Sequence, residues 1–140
     1  MRIPVLSLIV VAALGAAPPQ SGRPDAATAS EPRAAHTDSA AGCPPVTRTR
    51  VEAGRKLFSL SGNCFACHGA KATGTALGPS LTDTKWLDTD GSYAGIVKVI
   101  LAGVAKPKAH GSPMPPRGAA PLTDAQVCEV AAYVYSLSHH

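Results

Sequence analysis

The run GNCFACHGA, from Gly62 to Ala70, restricts this chain more than any other stretch of it. Cys64 and Cys67 stand three positions apart, and His68 follows directly. A cysteine pair at this spacing serves as a redox dithiol, as half of a zinc site, or as the anchor of a covalently held group. A structural zinc normally takes four Cys or His ligands, often as two spaced pairs. The other two cysteines, Cys43 and Cys128, are single and far apart. A dithiol of the thioredoxin kind belongs beside a βαβ pattern, and the chain shows no strand pattern. A disulfide closed within so small a loop would be strained.

The anchoring use needs two thiols near enough to add to the two vinyl groups of one porphyrin. It also needs an imidazole just after them, to reach the iron from the same side. Cys64, Cys67 and His68 supply these in order and match the c-type haem attachment signature. Composition points the same way. The chain is 45% hydrophobic but only 4% aromatic, so few large side chains are available for a core. A small domain of that kind usually needs a staple or a bound group. An ordinary Ala-rich helical domain is the other reading of the composition alone.

The start, MRIPVLSLIVVAALGAA, has one early charge at Arg2, then an apolar run closed by small residues. This is the pattern of a secretory signal peptide, assigned to residues 1–17. The run is short of the ~20 residues a membrane span needs. An uncleaved signal anchor is the alternative, and it would tether the protein to a membrane. Residues 18–45 are rich in Pro, Ala, Ser and Thr without apolar periodicity and read as a disordered linker. Residues 46–140 read as one mostly helical domain. Thr49 and Glu52 form a capping box for a first helix that buries Val51, Leu57 and Phe58 and ends at Gly62. Ser92 caps a second helix, with Tyr93, Ile96, Val97, Ile100 and Leu101 at helical spacing and Gly103 as its stop. Thr123 and Gln126 open the last helix, with Val127, Val130, Ala131, Val134 and Leu137 on one stripe. Gly- and Pro-rich loops, GTALGPSLTD and HGSPMPPRGAAP, lie between the helices.

An iron bound at His68 needs a sixth ligand or keeps an open site. Met1 would leave with the signal. Met114 sits among Pro113, Pro115 and Pro116, which fix φ and remove backbone donors, so a stiff loop presents its thioether. His110 is the competing ligand on the same loop.

With these residues in hand, the region from Val51 to Leu137 resembles the class I, mono-haem cytochromes c. LFSLSGNCFACHG, GPSLTD, SPMPP and AAYVYSL stand at family-like positions, and LTDTKWL and YVYSLS are similar to the haem c domains of cbb-type haem–copper oxidases. The resemblance implies an all-α class I cytochrome c fold, its helices wrapped around one covalently bound haem c. It implies that the Pro79 carbonyl accepts a hydrogen bond from the second ring nitrogen of His68. Leu81 would pack on the porphyrin face, Trp86 would donate its indole N–H to a propionate, and Tyr133 would sit where the first and last helices cross. Because those helices meet, a disulfide between Cys43 and Cys128 comes within reach, with two free thiols as the alternative. Attachment of haem outside the cytoplasm agrees with the export signal, and a periplasmic or otherwise exported protein permits a disulfide.

A haem with His68 and Met114 as axial ligands leaves no open position, so the expected function is electron transfer rather than catalysis. The chain would be an exported carrier or the cytochrome subunit of a respiratory or dehydrogenase complex. A haem enzyme or gas sensor with an open sixth site is the alternative. The net charge of +4 lacks a run of Lys and Arg dense enough for nucleic acid. Lys71, Lys106, Lys108 and Arg117 instead suggest a basic rim that steers an acidic redox partner.

Overall fold

A computed structural model describes residues 42–139. The signal at 1–17 and the linker up to residue 41 lie outside the described residues.

Helix α1, Arg48–Ser59, starts from Thr47, whose backbone is extended and whose hydroxyl oxygen accepts the Arg50 N–H. The Thr49–Glu52 box expected from the sequence does not form. Thr49 already lies inside the helix, and the Glu52 carboxylate turns to Arg55 at 3.1 Å. The helix also stops short of Gly62. Leu60 caps it, and Gly62 donates its N–H to the Leu57 carbonyl at 2.8 Å. Phe58 is fully buried, with Val51 and Leu57 packed beside it.

The Cys-pair run itself forms helix α2, Phe65–His68, a single turn that the sequence did not announce. Helix α3, Tyr93–Ala102, begins at Ser92, whose hydroxyl accepts the Gly95 N–H, and ends at Gly103. A short 3₁₀ turn, Pro116–Ala119, precedes helix α4, Asp124–Ser138. The Thr123–Gln126 capping box opens α4 with both of its reciprocal bonds present. Among the described residues the one strand-like pairing is an isolated antiparallel bridge between Val104 and Met114.

Helices α1 and α4 cross closely, and α4 also packs on α3. The close crossing depends on Gly54. A Cβ at this position would lie 1.9 Å from the Glu129 carbonyl oxygen and 2.9 Å from Tyr133 Cβ. Tyr133 sits at this crossing, its ring edge-on to Phe58 with centroids 5.3 Å apart. The core continues through Tyr93, Val97, Val127 and Val130, all almost completely buried.

A disulfide joins Cys43 to Cys128 across 85 residues of sequence. Cys43, which the sequence assigns to the linker, is therefore part of the core, only 4% exposed. The Tyr93 hydroxyl donates to the Cys128 carbonyl at 3.0 Å and lies 3.3 Å from the Pro44 carbonyl. One buried phenol thus gathers the start of the described chain, α3 and α4. Its removal from water raises its pKa, so it stays a donor at neutral pH.

Candidate functional site

The turn of α2 explains why the Cys64, Cys67, His68 spacing works as a unit. Residues at i, i+3 and i+4 share one helix face, and the His68 N–H closes on the Cys64 carbonyl at 3.0 Å. All three side chains line one cavity. Met114 lines the same cavity, held by its bridge to Val104: each donates an N–H to the other's carbonyl, at 2.8 and 3.0 Å. Leu81, Ile96, Ile100, Val130 and Val134 supply apolar wall from three further segments. The empty volume, open mouth included, is about 1230 Å³.

The His68 ring is held in one orientation. Its Nδ1 lies 2.9 Å from the Pro79 carbonyl oxygen, which can only accept, so Nδ1 carries the proton. Nε2 is left with its lone pair. The loop that supplies Pro79 is itself tied back, with the Thr75 N–H donating to Gly78 O at 2.9 Å and the Leu81 N–H to Ala72 O at 2.8 Å. Burial holds the His68 pKa below the ordinary histidine range; the Pro79 bond opposes this, and the nearness of His110 adds to the lowering. A neutral imidazole with a fixed tautomer is the form that binds a metal.

The two thiols are free, and Cys64 is unsuited to exchange chemistry. Burial, with Cys67 adding to it, pushes its thiol up to about 11. It is protonated at neutral pH, whereas thiol–disulfide exchange needs the thiolate. Among the described residues no three His, Cys, Asp or Glu side chains gather to hold a metal. An apolar cavity flanked by two thiols, a neutral imidazole and a thioether fits a flat, hydrophobic iron macrocycle anchored at one edge.

The other sequence-named residues divide. Pro79, Leu81 and Trp86 all line the cavity. Trp86 lies against Gly91, where a Cβ would fall 2.2 Å from the indole Nε1. His110 lines the cavity as well, on the same loop as Met114. Lys71, Lys106 and Lys108 are exposed. Arg117 departs from its expected place on the basic rim. Its side chain is 31% exposed, and the guanidinium donates to the Leu122 carbonyl at 2.8 Å and the Asp124 carboxylate at 2.6 Å. Lys85, not named from the sequence, borders the cavity; only the folded loop brings it there.

The cytochrome c family model matches residues 51–138, and the chain belongs to that family, with the all-α class I fold. It is 41% identical over 85 residues to the cbb3-type cytochrome c oxidase subunit CcoP of Rubrivivax gelatinosus, covering 61% of this chain and 25% of that protein. It is 32% identical over 99 residues to the subunit FixP of Rhizobium etli, covering 69% and 33%. The chain thus matches a quarter to a third of the length of these relatives. Among solved structures, cytochrome cL from the marine methylotroph Methylophaga aminisulfidivorans aligns with a TM-score of 0.51 and 26% identity, over 65% of this chain and 55% of that one. A component of a reducing HAO-like protein complex from Kuenenia stuttgartiensis aligns with a TM-score of 0.51 and 19% identity, over 69% and 47%, a likeness of fold alone.

Proposed function

We propose that the domain carries electrons through a single haem c, held covalently by Cys64 and Cys67 and ligated by His68 and Met114. The observation that carries this reading is the pairing of a tautomer-locked His68 and a backbone-fixed Met114 on one apolar cavity. When bound, a haem c supplies an iron that alternates between ferrous and ferric forms, at a potential set by its axial ligands and burial.

The chain's own residues do the rest. Pro79 accepts the His68 Nδ1 proton and keeps the ligand nitrogen pointed one way. Leu81 and the valines of α4 exclude water, which favours the reduced state. Trp86 would donate its indole N–H to a propionate of the bound group. With His68 and Met114 both given to the iron, no position would remain for substrate or dioxygen, and the domain would act as a carrier rather than an enzyme. It works as an exported, periplasmic carrier or as the cytochrome subunit of a respiratory or dehydrogenase complex, soluble or held at a membrane. The relatives named as cbb3-type oxidase subunits favour a respiratory setting. Among the described residues no helix is long and apolar enough to cross a membrane. Lys71, Lys106 and Lys108 serve as the basic rim that steers an acidic redox partner.

Carbon monoxide tests the reading. After expression with c-type maturation, the protein should show the spectrum of one covalent haem, and the reduced form should bind the gas poorly. Ready binding would favour an enzyme or gas sensor with an open sixth site. The absence of any haem would remove both readings.

A further inference from the structure

We propose that Arg117 is a positioning residue for Met114: it ties the segment after Met114 to the start of α4, and so sets how readily the thioether gives way to another ligand. The inference rests on the His68/Met114 reading.

Met114 is held first by its own backbone, which makes both bridge bonds to Val104, directly after α3. Gly103 closes on Met114 and on the segment after it, where a Cβ would lie 2.4 Å from the Met114 carbonyl oxygen and 2.7 Å from the Pro116 nitrogen. Downstream, Pro115 and Pro116 have no N–H to donate. The backbone bonds there are local, such as Gly118 N–H to Pro115 O at 3.0 Å. Arg117 adds a side-chain connection from this segment to a different element. One guanidinium nitrogen donates to Leu122 O at 2.8 Å and another to Asp124 Oδ1 at 2.6 Å. Both acceptors sit at the entry to α4, which the Thr123–Gln126 box holds in place.

The backbone of Arg117 makes the same point. It is left-handed, at φ 54° and ψ 23°, a conformation that costs a residue with a Cβ about 1 kcal/mol or more. Glycine would adopt it without that cost, but glycine has no guanidinium. Two hydrogen bonds from a charged donor more than offset a cost of this size. A side chain engaged in this way is poorly placed to meet a partner. Its leverage is on the loop three residues upstream, where Met114 lines the cavity.

The test uses ferric, haem-loaded protein and imidazole as the probe, followed by stopped-flow absorbance. Arg117→Ala should bind imidazole about tenfold faster than wild type, the loss of one charge-assisted tie. Arg117→Lys, which keeps the charge but loses the fork, should fall between the two. An Arg117→Ala rate equal to wild type would overturn the proposal, whatever happens to the melting temperature. If Arg117→Ala does not accumulate with haem, Arg117→Lys decides alone: a rate above wild type supports the tie, and an unchanged rate refutes it. Met114→Ala separates the underlying reading. If its imidazole rate matches wild type, Met114 is not the displaced ligand and both readings fall. If it is fast while the Arg117 variants behave as wild type, only the role of Arg117 is lost.

Discussion

Met114 and His110 face one cavity from one loop, and the iron they would serve can distinguish them. Met114→Ala is expected to lower the reduction potential and to let the reduced protein bind carbon monoxide, as read by spectroelectrochemistry and gas titration. His110→Ala should leave both unchanged. The reverse pattern would transfer the ligand role to His110. At this scale the site was largely legible in the sequence, because its chemistry is carried by rare residue types. Cysteines at a fixed spacing, a following histidine and the one methionine besides Met1 are visible in a string of letters. Arg117 and Gly54 were not legible in the same way. A charged residue in a loop reads as surface until its acceptors are known, and those of Arg117 lie on a different element. A glycine inside a helical stretch reads as a weak point until a second helix is found lying across it.

The helices show where local signals suffice. For α3 and α4 the cap, the apolar spacing and, for α3, the terminal glycine agree, and the expected starts match the structure. For α1 two threonines compete, and the one at position 47 wins because its backbone is extended outside the helix. Helix α2 has four residues, too few for any periodicity to announce it. Two predictions belong here. Ser92 Oγ–H, then the Ser92 N–H, then Thr89 hold the Asp90 carboxyl below its ordinary range just before α3. A depressed folded pKa adds stability that is present above the unfolded value, about 3.9 for Asp, and is lost as pH falls through the folded value. Thermal melts of Asp90→Asn should therefore fall below wild type at pH 7, and the gap should close toward about pH 3. Equal gaps at both pH values would contradict this. Gly54→Ala should force α1 away from α4, costing about 2–3 kcal/mol by chemical denaturation. A variant as stable as wild type would show that the crossing relaxes freely.

For the whole molecule, the disulfide is the main long-range constraint. It joins Cys43 to a helix 85 residues away and encloses Cys64, Cys67, His68 and Met114 within its loop. Replacing both Cys43 and Cys128 by serine should cost about 2–4 kcal/mol, a drop in melting temperature of roughly 10–20 °C. Wild type in a strong reductant should reproduce that drop; no change on reduction would mean that the bridge contributes nothing to stability. The sequence offered this pairing only through a family resemblance, since two lone cysteines carry no record of which elements meet. The bridge also separates the start of the described chain from the cavity. Val130 and Val134 of α4 face the cavity, whereas Cys128, about 200° around the helix from Val130, does not. The covalent clasp and the cavity thus occupy different faces of one helix.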